Sequence, residues 1–301
     1  MSAAASARPG KAAAWKLAVR LPTLPAAVAP VLVGTGVAIA DREFSLGPAF
    51  AAMIGALFLQ VGANFANDAF DFRRGADTEA RLGPPRVTQM GLLSQREVFL
   101  GMVSAFAVAM LAGVYLLAVA GWPVVAAGLA SIVAAVIYTG GPWPIGYHAL
   151  GDVFTFVFFG LVAVAGTYFV QAGSISGVAL LAAVPMGCTV TMILVVNNLR
   201  DVDTDRLAKK TTLAVIIGKK PTRAWYAFLA AVAFAVALLL WPLAGMSPAL
   251  MLTLGALWFL RPPLRAVIGG VEGRPLNLAL KATARFHLVF GLLFALGLAL
   301  S

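Results

Sequence analysis

The chain has little charge and almost no cysteine. Only 11% of its 301 residues are charged, whereas 61% are hydrophobic; a soluble domain typically carries about 25% charged residues. The single cysteine, Cys188, lies inside an apolar run and excludes both an intrachain disulfide framework and a zinc site built from cysteines. This composition predicts an integral membrane protein in contact with the lipid bilayer.

The apolar segments are continuous runs without period-2 alternation, which favours membrane helices over a barrel. Since about 20 apolar residues cross a bilayer, we predict an all-α membrane protein with about nine transmembrane helices. The chain is interpreted as a single membrane domain, residues 1–301, with a basic N-terminal segment at 1–20. The predicted spans are 21–40, 46–66, 98–120, 122–139, 153–170, 178–196, 225–243, 244–260 and 286–300.

The placement of lysine and arginine predicts the orientation of these spans. If nine spans alternate across the membrane, 21 of the 22 basic residues lie on one side, and Arg42 alone lies on the other. Basic residues mark the cytoplasmic side, so we expect a multi-pass protein of the cell membrane with a cytoplasmic N-terminus. The net charge of +10 does not indicate nucleic-acid binding, because the basic residues lie between spans and form no separate domain.

Acidic residues are scarce, and half of the twelve lie in two short stretches about 130 residues apart. Residues 64–71 read N-F-A-N-D-A-F-D and are followed by Asp77, and residues 197–205 read N-N-L-R-D-V-D-T-D. A carboxylate beside hydrocarbon is costly unless something pairs with it, so such residues are functional candidates. Both stretches fall on the predicted cytoplasmic side.

Within each stretch the polar side chains share one helical face. The first set, spaced i, i+3, i+4, i+7, is Asn64, Asn67, Asp68 and Asp71; the second, spaced i, i+3, i+7, is Asn198, Asp201 and Asp205. Mg²⁺ prefers oxygen ligands, often one or two carboxylates together with substrate phosphates. Two such sets predict a Mg²⁺ site that binds a lipid diphosphate, with nearby arginine and lysine holding phosphate oxygens.

The two stretches also share the pattern N-x-x-x-D, at Asn67–Asp71 and again at Asn197–Asp201. This repetition suggests two pseudo-related halves, with one motif region at 64–78 and the other at 197–212. No other part of the two halves shows obvious identity.

At these residues the chain resembles the UbiA-type intramembrane prenyltransferase superfamily. Asn67-Asp68-x-x-Asp71 and Asp201-x-x-x-Asp205, the latter followed by K-K-T-T-L at 209–213, correspond to the two aspartate-rich motifs of that family. Residues 20–25, 64–78, 81–89, 138–152 and 197–206 are most similar to its 1,4-dihydroxy-2-naphthoate prenyltransferases. The third acid of the first motif is Asp77, where the broad superfamily has an acid at the position of Gly75; the naphthoate branch shares this spacing.

The resemblance implies nine transmembrane helices around a central cavity, with both motifs at its cytoplasmic mouth. It also implies Mg²⁺-dependent transfer of a polyprenyl group from a polyprenyl diphosphate to 1,4-dihydroxy-2-naphthoate, with loss of CO₂, giving demethylmenaquinone. The expected catalytic residues are Asp68, Asp71, Asp201 and Asp205, and the expected metal ligands are these four and Asp77. The expected substrate-binding residues are Arg20, Asn64, Asn67, Arg74, Arg81, Arg86, Tyr138, Asp152, Asn197, Asn198, Lys209 and Lys210.

Several alternatives stay open at this point. Another aromatic acceptor would fit the same motifs, and Tyr138 and Asp152 could be an interfacial tyrosine and a helix N-cap instead of acceptor-binding residues. A small-solute transporter is a hypothesis of a different class, because intramembrane acids also mark ion pathways. The strong acidic sites all lie at helix ends on one side, however, and none lies at the centre of a span.

Overall fold

A computed structural model describes residues 9–75 and 81–301 of the chain. Within these ranges twelve α-helices form a bundle, together with a few shorter 3₁₀ and π-helical stretches. Their bounds are α1 Lys11–Val19, α2 Pro25–Ala40, α3 Leu46–Arg73, α4 Gln95–Ala120, α5 Pro123–Ile137, α6 Gly151–Thr155, α7 Ala163–Ala172, α8 Gly177–Leu207, α9 Leu213–Ile217, α10 Lys219–Ala244, α11 Leu257–Ile268 and α12 Leu276–Ala299. A π-helical stretch, Phe156–Val162, joins α6 to α7, and a 3₁₀ stretch, Pro248–Ala256, precedes α11.

Seven helices in the described ranges are long and apolar enough to cross a membrane, which confirms a multi-pass, all-helical membrane protein. The segment Lys11–Thr23 and α2 meet at a bend of 49° and together would make an eighth span. α5 is apolar but shorter, at 15 residues. Each of the nine predicted segments therefore corresponds to an apolar helical segment, although length alone supports seven or eight spans.

Several helices extend beyond the predicted membrane spans. α3 continues beyond residue 66 to Arg73, α8 continues beyond residue 196 to Leu207, and α12 begins at Leu276. The helices do not end where the apolar runs end, because the polar residues that follow find partners within the protein instead of requiring water. Both acidic motifs are helical, as the spacing of their polar residues predicts.

The helices close into a ring, because α2 near the start of the chain packs against α12 at its end. α3 packs against α4, and α8 packs against α10. One buried apolar cluster joins α2, α8, α10 and α12, and a second joins α1, α3 and α4. Large apolar side chains such as Leu111, Val114 and Leu278 are exposed on the outer surface, where a lipid bilayer would cover them.

A glycine contact sets the distance between the π-helical stretch and α8. A Cβ added to Gly160 would lie 2.7 Å from the Cα of Gly187, so neither backbone could approach the other with a larger residue at position 160. Small residues at helix crossings of this kind are common in membranes because they let backbones come close. This crossing places α8, which carries the second motif, against the span that contains Asp152.

Candidate active site

The first motif occupies the last turns of α3. Its four polar side chains lie on one face of the helix, as the spacing predicted, and three of them are buried: Asn64, Asp68 and Asp71. The helix continues through these residues because each of them has a partner on the segments packed against it. The motif is therefore held rigidly by a helix.

Loop residues 86–88 fold back over the end of α3 and contact both of its aspartates. The Arg86 guanidinium lies 2.5 Å from Asp71 Oδ2, and both side chains are largely buried. The Thr88 hydroxyl and the Val87 backbone N–H both donate to the carboxylate of Asp68. Arg86, a predicted phosphate ligand, thus forms an ion pair with a predicted metal ligand.

The two asparagines of the first motif connect α3 to other elements. Asn64 Nδ2 donates to the Val19 carbonyl at 2.9 Å and to the Thr23 hydroxyl at 2.8 Å. Asn67 Oδ1 accepts from the Thr139 hydroxyl at 3.1 Å. Asn64 thereby fixes the break between α1 and α2 against α3.

The second motif is organised around a buried arginine on α8. Arg200 Nε and Nη2 lie 2.8 and 2.5 Å from the two oxygens of Asp201. The same guanidinium donates to Asn197 Oδ1 at 2.8 Å and to Asn277 Oδ1, on α12, at 2.7 Å. Asn277 Nδ2 in turn donates to the Leu82 carbonyl at 2.9 Å, so this network links the second motif to the loop that follows the first.

Asp205, the last acid of the second motif, is only partly satisfied. Its Oδ1 lies 3.4 Å from Lys210 Nζ. Its Oδ2 is buried and has no hydrogen-bond partner in the part of the chain that the structure describes. A buried carboxylate oxygen without a partner is costly, which makes this atom a candidate ligand for a cation.

Tyr147 connects the two motifs, although no sequence pattern singles it out. Its hydroxyl donates to Asp71 Oδ1 at 3.3 Å, while Arg74 and Lys210 lie over its ring, 5.8 and 5.7 Å from the centroid. Its carbonyl accepts from the Thr211 N–H at 3.0 Å. Burial, together with the negative charge of Asp71, holds the pKa of the phenol well above its ordinary value.

Three other arginines that the sequence predicts to bind substrate have different surroundings. Arg20 lies between α1 and the turn before α2 and lines the central cavity. Arg74 donates to the carbonyls of Thr139 and Gly141, and Arg81 donates to the carbonyl of Pro84 at 3.2 Å.

Two further predicted residues lie in α8 or just after it. Lys209 is exposed at the end of α8, and Asn198 is buried in that helix. Asp77 lies outside the described residues, so its expected role as a metal ligand stays a prediction.

Tyr138 and Asp152 both lie near the start of α6. The ring of Tyr138 packs closely over Gly146 and Gly151 and lines the central cavity, which supports a ligand contact over a merely interfacial role. Asp152 lies in the first turn of α6, and its Oδ1 accepts from the indole N–H of Trp225 on α10 at 3.2 Å. The N-cap interpretation of Asp152 is wrong, because the residue at that position is Leu150.

A cavity of about 760 Å³ runs through the centre of the bundle. Its polar end carries side chains of both motifs, since Asn64 and Asn67 line it together with Asn197. The rest of the wall is mainly small and apolar, with contributions from α2 to α5, the Gly151–Ala172 span and α8. Among its described lining residues Arg20 alone is charged.

No group of three or more histidine, cysteine, aspartate or glutamate side chains is arranged to hold a metal within residues 9–75 and 81–301. Instead, three of the four predicted metal-ligand aspartates in these ranges face a basic side chain: Asp71, Asp201 and Asp205. The fourth, Asp68, accepts from Thr88 and Val87. The oxygen atoms are of the type that Mg²⁺ prefers, and their basic partners are of the type that phosphate prefers.

The fold and the site define an intramembrane enzyme class. Residues 27–265 match the model of the UbiA prenyltransferase family, and the chain belongs to this family. It is therefore a prenyltransferase, and the resemblance drawn from the two motifs is confirmed.

Curated relatives refine this assignment. The chain is 41% identical to a 1,4-dihydroxy-2-naphthoate octaprenyltransferase of Mycobacterium tuberculosis, over 73% of this chain and 75% of the relative. It is 34% identical to the enzyme of the same name from Escherichia coli, over 96% of each chain. Among solved structures, a UbiA homolog from Archaeoglobus fulgidus bound to GPP and Mg²⁺ has the same fold, with a TM-score of 0.67, 14% identity and coverage of 95% of this chain and 99% of that one.

Proposed function

We propose that this protein transfers a polyprenyl group from its diphosphate to 1,4-dihydroxy-2-naphthoate, releasing diphosphate and CO₂ and giving demethylmenaquinol, the reduced form of demethylmenaquinone. The observation that carries the proposal is the central cavity, whose polar end holds side chains of both motifs and whose body is apolar. The acceptor follows from the names of the relatives. A different aromatic acceptor is the second candidate, because the geometry of the cavity does not itself distinguish between planar rings.

The residues of the two motifs suit a Mg²⁺-bound diphosphate. The oxygen ligands would come from Asp68, Asp71, Asp201 and Asp205, with Asp77 a further candidate in the adjacent stretch, and the unpartnered Oδ2 of Asp205 fits this role. Bound Mg²⁺ would neutralise the diphosphate as the allylic C–O bond breaks. The GPP and Mg²⁺ bound to the Archaeoglobus fulgidus homolog are consistent with this proposal.

The basic residues that now pair with the aspartates are the proposed phosphate ligands. Arg86 and Lys210 each contact a motif aspartate, and both lie beside Tyr147 or its partner Asp71. When a diphosphate and its cation enter, these side chains can exchange a carboxylate partner for a phosphate partner at little electrostatic cost. The proposed site thus already contains negative side chains for the cation and positive side chains for the phosphates.

The apolar part of the cavity serves the prenyl group and the reaction itself. An electron-deficient allylic carbon would react with any water nearby, so a dry cavity wall protects it until the electron-rich ring attacks. Tyr138 at the cavity wall is the proposed contact for the ring. A transporter is disfavoured, because the chain belongs to a prenyltransferase family and the described cavity wall has no charged residue along its apolar body.

We also propose that the site faces the cytoplasm in the cell membrane. The basic residues at the end of α3, in the α3–α4 loop, around the end of α8 and between α11 and α12 support this orientation by the positive-inside rule. The N-terminus would lie on the same side.

The proposed reaction can be tested with the purified protein in detergent. With a polyprenyl diphosphate and 1,4-dihydroxy-2-naphthoate, we expect Mg²⁺-dependent formation of demethylmenaquinone or its quinol, detected by mass spectrometry, and loss of the product in EDTA. Turnover of the diphosphate only with a different aromatic acceptor would reject the naphthoate assignment and keep the transferase. No turnover of any allylic diphosphate would contradict the proposed function.

The cavity wall also predicts a change in chain-length preference. Gly113 on α4 lines the cavity, and a Cβ added there meets open space, so Gly113→Leu should fill part of the cavity without disturbing the fold. We expect kcat/KM for a long polyprenyl diphosphate to fall about tenfold or more relative to that for a short one. Ala118→Leu, on the exposed side of the same helix, is the matched control, and an equal loss for both donor lengths would count against this placement of the tail.

A further inference from the structure

A second cavity, of about 370 Å³, lies on the outer side of the first motif helix, between the end of α3 and the start of α4. Six residues line it: Ala69, Phe70, Arg73, Gln95, Arg96 and Phe99. None of them lines the central cavity. The second cavity is therefore a separate site at the basic end of the bundle.

The course of α3 keeps the two cavities apart. Arg73 follows Asp71 by two residues, so its side chain leaves the helix roughly 200° further round. Asp71 faces Arg86 and Tyr147 in the candidate active site, whereas Arg73 faces the start of α4. A ligand in the second cavity would touch the back of the motif helix and not the reacting groups.

The second cavity carries two positive charges without an acidic partner among the described residues. Arg73 and Arg96 are both exposed, and neither forms an ion pair within residues 9–75 and 81–301. Glu97, the acid nearest to Arg96 in sequence, is already bound by Lys11 at 2.8 Å and by the backbone N–H of Ser94 at 2.8 Å. Gln95, in the first turn of α4, adds an amide donor at the positive end of a helix.

Below the arginines the surface becomes apolar. Phe99 lines the cavity and is 46% exposed, and Leu100 and Val103 continue the exposed apolar surface along α4 at 54% and 47%. These residues follow Arg96 along α4. The cavity is therefore cationic at one end and opens at the other end onto an apolar surface that a lipid acyl chain could cover. A soluble phosphate would use only the cationic part.

We propose that the second cavity binds the head group of an anionic phospholipid. Arg73 and Arg96 would hold the lipid phosphate, with arginine able to contact it in a bidentate manner, and an acyl chain would lie along Phe99 and Val103. The charge complementarity and the continuous apolar surface both favour a membrane lipid over a soluble anion, since basic cavities between helix ends are suited to anionic lipid head groups.

Native mass spectrometry of the purified full chain tests this proposal. We would load the protein with phosphatidylglycerol or with phosphatidylcholine and compare Arg73→Gln/Arg96→Gln with Arg265→Gln/Arg274→Gln. The control pair removes the same charge from two exposed arginines that have no side-chain ion pair among the described residues. We expect retained phosphatidylglycerol to fall at least fivefold in the first pair only, with phosphatidylcholine unchanged in both.

Equal retention of phosphatidylglycerol in both pairs would overturn the proposal. Complete displacement of the lipid by excess inorganic phosphate would also overturn it, because it would show an anion site without a lipid contribution. Arg96→Gln alone, with its thermal unfolding compared with that of the parent, guards against a folding defect. A folded single variant that still loses at least half of the retained phosphatidylglycerol supports the site, and one that loses none contradicts it.

Discussion

Asp201→Asn is expected to lower the rate of prenyl transfer roughly 100- to 1,000-fold, the usual effect of removing one charge-stabilising group from an active site. Asp201 is largely buried and is held by Arg200 at 2.5 and 2.8 Å. Asparagine keeps its size but removes the negative charge proposed to bind Mg²⁺. The measurement is kcat and KM for the polyprenyl diphosphate over a series of Mg²⁺ concentrations.

Asp203 supplies a matched control within the same motif. It lies two residues further along α8, so it points to the other side of the helix, where its side chain is 71% exposed and pairs with Lys219 at 2.9 Å. Asp203→Asn should therefore leave the rate close to that of the parent. Equal losses in the two variants, or no loss in Asp201→Asn, would contradict the assignment of Asp201 to the metal site.

Arg200→Met is expected to destabilise the protein by about 3–5 kcal/mol, the typical effect of breaking a buried ion pair. The Arg200 side chain is 1% exposed and holds Asn197, Asp201 and Asn277 together. Its removal leaves the Asp201 carboxylate without its cation and loosens α8 from α12. Thermal or denaturant unfolding in detergent, with size-exclusion chromatography as a check on assembly, measures this effect.

Two further variants isolate the cause of that destabilisation. Arg206→Met removes an exposed arginine from the same helix and should change stability by less than about 0.5 kcal/mol. The double variant Arg200→Met/Asp201→Asn should be more stable than Arg200→Met alone, because the unpaired buried charge is gone. A double variant no more stable than the single one would show that the ion pair is not the source of the effect.

In the candidate active site most of the acidic side chains are paired with basic ones. Asp71, Asp201 and Asp205 each face a basic side chain, and Tyr147 lies between the two motifs with Arg74 and Lys210 over its ring. Without a substrate, carboxylates and cations compensate each other, so neither is buried alone. A diphosphate with its metal ions would bring partners of both signs, phosphate oxygens for the basic side chains and cations for the carboxylates.

Composition and local periodicity are sufficient to predict the class of structure and the positions of the motif residues. Scarce charge and long apolar runs require membrane helices, because only helices or closed barrels satisfy every backbone polar group in lipid. The spacing of Asn64, Asn67, Asp68 and Asp71 placed them on one face, since the helical period depends only on local geometry. The interpretation of the chain as two pseudo-related halves stays a prediction.

The pairings between distant residues follow from the tertiary structure and from nothing local. Arg200 contacts Asn277, 77 positions away, and Tyr147 contacts Asp71, 76 positions away. In the sequence Arg200 is one basic residue among 22, and Tyr147 is one tyrosine between two predicted spans. Such pairings depend on how the ring of helices closes, and no local periodicity contains that information. α3 and α8 extend past the predicted membrane spans, to Arg73 and Leu207, for the same reason, because partners from distant segments satisfy the polar residues there.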